Sequence, residues 1–143
     1  MGHAHALYDL AFALASAGRV DEAATALEES LQTYRRTPPR EEPDRVTFAR
    51  VLLLLGSYLL DRDDPAACLP LADEAVRASR ALNAAAPDPT GILRGTAIRH
   101  CRRLAQALEM RAKALSGIGR TTEAAAASAE AAELRRSMSR DEG

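Results

Sequence analysis

The sequence predicts an all-α protein of about six helices that pack in pairs within one domain, residues 1–143. Three observations support this. The composition is rich in alanine, the best helix former, and poor in the aromatic residues that fill sheets, at 3%. Apolar residues recur at helical spacing in the long stretches of the chain. Breaks containing glycine or proline separate those stretches.

The first two predicted helices form a hairpin, the first unit, over about residues 3–36. A helix from about residue 3 to 17 carries an apolar stripe, and Gly18 ends it. Asp21 and Glu22 then place negative charge in the first turn of the second helix, where the helix dipole favours it. The stripe of the first helix consists of Leu7, Leu10, Ala11 and Leu14, and the second helix is expected to bury Ala23, Leu27, Leu31 and Tyr34.

Prolines delimit the second unit, over about residues 43–85. The connector 37–42 cannot be helical, because its two prolines lack backbone N–H groups and restrict the residues before them. Pro43 suits the first position of the third helix. Its segment VLLLLGSYLL is apolar all round, which predicts burial on two faces.

Capping residues, prolines and glycines also mark where the remaining helices begin and end. Asp64, followed by a proline, is the expected N-cap of the fourth helix, and Pro70 predicts a bend or a later start there. A connector, 86–88, leads to the third unit, over about residues 89–138. This unit contains a long fifth helix and an alanine-rich sixth helix, with a break near Gly119 between them.

An internal repeat is visible when the chain is aligned on its three breaks, Gly18, Asp63 and Gly119. Each unit has an apolar residue, a small residue and a further apolar residue before the break, and small residues after it. The small residues let one helix approach its partner closely. They are Ala11, Gly56 and Ala112 before the break, and Ala23, Cys68 and Ala124 after it.

This arrangement resembles the tetratricopeptide repeat, a helix-turn-helix unit with the same order of small, apolar, glycine and alanine positions. The segments LAFALASAGRVDEAATALEESL, LLGSYLLDRDDPAACLPLADEAV and RAKALSGIGRTTEAAAASAEAA carry the resemblance. Asp63 in place of the turn glycine and Arg111 at an apolar position depart from the pattern. The breaks also lie further apart in the chain than the repeat length of about 34 in the family, so these are three degenerate, extended repeats.

The resemblance implies a right-handed solenoid in which the first helix of each unit lines a concave groove that binds a protein or peptide. Such a groove suits an amphipathic helix or an extended apolar peptide, and not an acidic C-terminal tail. Two other states of this face stay open, namely coverage by the chain's own fifth helix or by a second copy. The residues expected to line the groove are Tyr8, Asp9, Phe12, Arg50, Leu53, Leu54, Ser57, Gln106, Glu109, Met110 and Lys113.

Charge is unevenly distributed although the net charge is only −1. Residues 1–34 are acidic and residues 92–113 are basic. The basic cluster is either a solvated helix face or a docking patch for an acidic surface, including the first two helices of another molecule. Nucleic-acid binding is not expected, because aromatic residues are absent after Tyr58. The patch consists of Arg94, Arg99, Arg102 and Arg103.

Residues with catalytic or metal-binding chemistry are scarce. His3 and His5 lie at a terminus, and no metal site is expected from them. His100 and Cys101 are adjacent, so on a helix their side chains point about 100° apart. A small thiol-dependent enzyme centred on Cys101 is therefore only a remote alternative, and we predict a protein that is not an enzyme and has no cofactor. Cys68 and Cys101 are expected to be reduced.

The predicted function is that of a scaffold or adaptor that binds a protein or peptide. The alternative is a sensor or regulatory segment of a larger signalling or transcription-regulating protein, with self-association, for example as a homodimer. No apolar run reaches the roughly 20 residues that span a bilayer. We therefore expect a cytoplasmic protein without membrane contact.

Overall fold

Six helices make up the part of the chain that the structure describes. The structure is a computed structural model, and it describes residues 2–84 and 94–142. Within those two ranges, short connections separate consecutive helices, and no strand occurs. They are α1 (Gly2–Ser16), α2 (Val20–Arg36), α3 (Glu42–Asp61), α4 (Pro65–Ala84), α5 (Arg94–Gly117) and α6 (Thr121–Glu142).

The all-α prediction is confirmed, and most helix boundaries lie close to those expected. Pro43 is the second residue of α3, one position later in the helix than predicted, and lies in its first turn. The Asp64 carboxylate caps α4 by accepting a hydrogen bond from the backbone N–H of Ala67, at 3.2 Å. A later start at Pro70 was wrong, because α4 begins at Pro65 and contains Pro70. The predicted connector 86–88 lies outside the described residues.

The three turns within the hairpins have the same backbone geometry. Gly18, Asp63 and Gly119 adopt positive φ angles of 83°, 58° and 84°. In each turn the following N–H donates to the carbonyl of the residue five positions before it, at 2.8 to 2.9 Å, as in a Schellman motif. The first of these bonds joins Arg19 N to Leu14 O. The three breaks recognised in the sequence therefore form equivalent turns.

Packing joins each helix to its neighbour in the chain. In addition, α3 contacts both α1 and α5, whereas in the described residues the even-numbered helices α2, α4 and α6 have no close backbone contact with one another. One core runs through the hairpins and includes Leu27, Leu52 and Leu108. This arrangement places α1, α3 and α5 in one layer.

Small residues bring α3 and α5 close together. A Cβ added to Gly56 would lie only 2.5 Å from Met110 Sδ and 3.5 Å from Cys68 Sγ. The thioether of Met110 thus occupies the space that any other residue at position 56 would fill. The predicted close approach of Gly56 to the following helix agrees with the distance to Cys68 on α4, whereas the tighter contact with Met110 on α5 was not predicted.

Long-range polar contacts connect the second helices of the hairpins. Arg35 on α2 forms two hydrogen bonds with Glu74 on α4, at 2.8 and 3.1 Å. Arg80 on α4 forms two hydrogen bonds with Glu130 on α6, at 2.7 and 2.9 Å.

A buried polar contact also joins the two helices of the first hairpin, where the Ser30 hydroxyl donates to the Ala4 carbonyl at 2.8 Å.

One part of the predicted core was wrong. Leu10, a member of the expected buried stripe of α1, is 50% exposed, whereas Leu7 and Ala11 are buried. Apolar periodicity identifies the apolar face of a helix but not whether another element covers all of it. The second helix buries Ala23, Leu27, Leu31 and Tyr34, as predicted.

Substitutions at the left-handed turn residues should change stability in opposite directions, depending on whether glycine is removed or introduced. Gly18→Ala and Gly119→Ala should each lower the free energy of unfolding by about 1 kcal/mol, because an L side chain is strained at positive φ. Asp63→Gly should leave it unchanged or raise it by up to about 1 kcal/mol, because the same strain is removed. Urea titration followed by circular dichroism measures these changes.

Ser16→Ala, an exposed change beside the first turn, serves as the control and should shift the free energy by less than about 0.5 kcal/mol. A loss of stability in Asp63→Gly as large as that in Gly18→Ala would contradict the equivalence of the turns.

Candidate functional site

A groove runs along α1, α3 and α5, and two adjoining cavities form it. The first cavity has a volume of about 300 Å³ and receives side chains from all three helices. Tyr8 comes from α1, Arg50 from α3 and Gln106 from α5. Its complete lining is Tyr8, Arg50, Leu53, Leu54, Arg99, Arg102, Arg103 and Gln106.

The second cavity continues the groove between α3 and α5 and also has a volume of about 300 Å³. It shares Leu53, Leu54 and Gln106 with the first. Leu54 is 37% exposed, so the centre of the groove is open to solvent, with α5 as a wall and not a cover. Its complete lining is Leu53, Leu54, Ser57, Leu60, Gln106, Glu109, Met110 and Lys113.

The structure brings together all the predicted groove residues except Asp9 and Phe12. The Asp9 carboxylate lies 3.4 Å from His5 Nε2 on the same helix. Phe12 is 58% exposed and lines neither cavity. Leu60 is the one lining residue of the second cavity that the sequence reasoning did not include.

The predicted basic patch is part of the same groove. Arg99, Arg102 and Arg103 line the first cavity, so the two surfaces expected to be separate are one. Arg103, a member of the predicted docking patch, is only 7% exposed. One residue along a helix turns the side chain by about 100°, which directs Arg103 toward the core and not outward like Arg102. The side chain of Arg94 lies outside the described part.

Two further residues orient the Arg103 guanidinium. His100 is 3% exposed, and its Nδ1 lies 3.2 Å from the Arg103 guanidinium. Because a guanidinium only donates hydrogen bonds, we assign Nδ1 as the acceptor and place the imidazole proton on Nε2. Nε2 then donates to Glu42 Oε1, at 3.2 Å. The chain from Glu42 through His100 thus holds Arg103 at the cavity wall.

The sequence reasoning missed the positioning role of His100 and Glu42. The His100–Arg103 spacing of three residues, which places two side chains on one helix face, was a usable signal. The pairing with Glu42, 58 positions away, had no signal in the sequence.

The electrostatics of the first cavity favour an anion. Among the described residues, no carboxylate lies within 4.0 Å of the Arg50 or Arg103 guanidinium. Burial lowers the pKa of Arg103, and the nearby charges of Arg50 and Arg99 lower it further. A buried charge without an opposite charge is costly. An oxyanion in this cavity would offset that cost.

The second cavity has a mixed charge. Glu109 accepts two hydrogen bonds from Arg135 on α6, at 2.7 Å each, and these bonds lower the pKa of Glu109. Lys113 lies beside it on the same lining. Leu53, Leu54 and Leu60 supply the apolar surface. This half of the groove therefore presents apolar area with one charge of each sign at its end.

In the described part of the chain, His100 and Cys101 are not hydrogen-bonded to each other, as the base and the nucleophile of a thiol-dependent enzyme would be. Both nitrogens of His100 face Arg103 and Glu42, and not Cys101. Cys68 is fully buried, and burial raises its pKa to about 11, with a contribution from Asp64. Such a thiol is inert at neutral pH.

Near the N-terminus, the two nitrogens of His5 face the Thr47 hydroxyl and the Asp9 carboxylate. The Thr47 hydroxyl donates to the Pro43 carbonyl and accepts from His5 Nδ1, at 3.0 and 3.1 Å. Within residues 2–84 and 94–142, no three His, Cys, Asp or Glu side chains are grouped as a metal site would require. The expectation of no metal and no cofactor stays a prediction.

Comparison of the chain with protein-family models, with curated proteins and with solved structures returned no match. Of the helices in the described ranges, none combines the length and the apolar character needed to cross a bilayer.

The cost of burying Arg103 can be measured directly. Arg103→Met keeps the length of the side chain and removes its charge, so it should raise the free energy of unfolding by about 1 kcal/mol or more. Arg80→Met serves as the matched control, because Arg80 is half exposed and paired with Glu130. That change should lower the free energy by less than about 1 kcal/mol. Urea unfolding at low salt measures both, and a loss of stability in Arg103→Met would contradict the electrostatic argument.

Proposed function

We propose that the protein is a helix-pair repeat solenoid of the tetratricopeptide kind that holds a polypeptide segment in the groove along α1, α3 and α5. Three observations support the solenoid: the equivalent turns at Gly18, Asp63 and Gly119, the packing of α3 against both α1 and α5, and the regular links between the second helices. The resemblance in sequence favours the same architecture.

The observation that carries the proposed function is the buried Arg103 at the wall of an open cavity, without a carboxylate partner among the described residues. Leu53 and Leu54 lie beside it and extend into the second cavity. We therefore amend the expected ligand from an apolar segment to one in which an acidic side chain accompanies apolar residues. The acidic group would face Arg50 and Arg103, and the apolar residues would cover Leu53 and Leu54.

The dimensions of the groove suit a peptide better than a small molecule. The groove follows α5 from Arg99 to Lys113, which corresponds to about 21 Å at the rise of an α-helix. An extended chain covers that distance with about six residues. Donors at one end and leucines in the middle would fix the direction and register of such a segment.

Selection from a library of short random peptides tests the proposed function. We expect the wild-type protein to enrich peptides in which Asp or Glu lies next to apolar residues. Arg103→Met and Arg50→Gln should each weaken binding of a selected peptide about tenfold or more, since a charge-assisted hydrogen bond is lost in a desolvated site. Fluorescence anisotropy with the labelled peptide measures the affinity.

Phe12→Ala is the matched control, because Phe12 is exposed outside both cavities, and its affinity should equal that of the wild type. Selected peptides that bind all four proteins equally well would exclude the groove as the binding site. Failure to enrich any peptide with an acidic residue would exclude the proposed ligand chemistry.

The other expectations from the sequence stay predictions. They are the scaffold, adaptor or regulatory role, the absence of catalytic activity and the cytoplasmic location. Of the alternatives, self-association has a specific observation in its favour, the exposure of Leu10, and it is developed below.

A further inference from the structure

The ion pairs between hairpins repeat in the same register. Arg35 follows Gly18, the left-handed residue of its hairpin, at the same separation in sequence as Arg80 follows Asp63. The partners of these arginines, Glu74 and Glu130, likewise share one separation from the left-handed residue of the next hairpin. One geometric relation therefore joins the first hairpin to the second and the second to the third.

The register leaves one charge of each sign without a partner in another hairpin of the described residues, one in the first hairpin and one in the third. Glu29 occupies the acidic position of the first hairpin, equivalent to Glu74 and Glu130, and forms no ion pair with a described residue. Arg136 occupies the basic position of the last hairpin, equivalent to Arg35 and Arg80. In the described part of the chain, Arg136 pairs with the exposed Glu133 on its own helix, at 2.7 Å, and not with another hairpin.

The first hairpin also has exposed apolar residues at positions whose equivalents in later hairpins are buried. Val51 on α3 and Ala107 on α5 occupy equivalent positions before their turn residues, and both are fully buried. The equivalent residue of α1 is Ala6, which is exposed. Leu10, the equivalent of the buried Leu55, is 50% exposed. The Ala6 position is thus covered in both α3 and α5, and the Leu10 position is covered in α3, whereas its α5 equivalent, Arg111, is partly exposed. Both positions are uncovered in α1.

The last hairpin is incomplete on the opposite side. Ser128 on α6 is exposed, whereas its equivalents, Leu27 on α2 and Ala72 on α4, are buried. Ala132 is exposed in the same way. Ser128 lines an open groove of about 590 Å³ between α5 and α6. Small side chains leave this surface flat enough to receive another helix.

We propose that a second copy of the chain docks head to tail, with the α1–α2 face of one molecule on the α5–α6 face of the next. Leu10 of one copy then covers the small residues of the other, and Glu29 pairs with Arg136 in the register of the two ion pairs between hairpins. The two faces differ, so the contact is heterologous and each added copy exposes a further pair of ends. The charges identify a second copy as the partner, because Glu29 and Arg136 occupy the same positions that form the ion pairs between hairpins within one chain.

Sedimentation velocity and light scattering over a concentration series test this assembly. The average mass of the wild type should rise with concentration and pass the mass of a dimer. Glu29→Arg and Arg136→Glu should each weaken association by about fivefold to tenfold, because each places like charges opposite one another. An equimolar mixture of the two variants should recover most of the association of the wild type, since every contact between unlike variants pairs opposite charges.

Glu28→Arg is the matched control, with the same change in charge one position out of register, and should associate as the wild type does. Leu10→Gln should also weaken association without loss of helicity, because Leu10 is exposed in the single molecule. A protein that stays monomeric at all concentrations, a mass that stops at the dimer, or a mixture that fails to restore association would each overturn the proposal. Arg103→Met should associate normally, so that failure here is distinguishable from failure of the peptide groove.

Discussion

The left-handed conformation at the end of the first helix of each hairpin is the constraint on which the rest of the molecule depends. At Gly18, Asp63 and Gly119 the backbone reverses in the same way and satisfies the same carbonyls. Equivalent reversals give the hairpins equivalent internal geometry. Side chains at equal distances from the turn then face equivalent neighbours, and both the groove and the ion pairs between hairpins follow from that equivalence.

The groove forms because the first helices of the three hairpins pack against one another. Because α3 contacts both α1 and α5, residues from three distant parts of the chain line one surface. The same packing that joins these helices withdraws Arg103 from water and leaves Arg99 and Arg102 at the cavity wall. The cost of a buried guanidinium is thus linked to the fold, and the chain from Glu42 through His100 limits the directions in which that guanidinium can point.

Much of the fold was predictable because its signals are local. Glycine and proline positions placed the turns, and apolar periodicity placed the helices between them. The groove residues were predictable through the register of the resemblance, which located Leu53, Leu54 and Gln106 on one face. The burial of Arg103 was not, because it depends on how closely α5 approaches its neighbours, and the sequence pattern does not specify that distance. The exposure of Leu10 was also not predictable, because the apolar stripe of a helix has the same spacing whether or not another hairpin covers it.

Gly56 determines a dimension of the groove although it lies outside the lining. Its missing Cβ leaves room for the Met110 thioether, and that contact sets how near α3 comes to α5. A side chain added at position 56 would displace the Met110 thioether, which itself lines the second cavity. The shape of the ligand-facing wall therefore depends on a glycine that is not part of that wall.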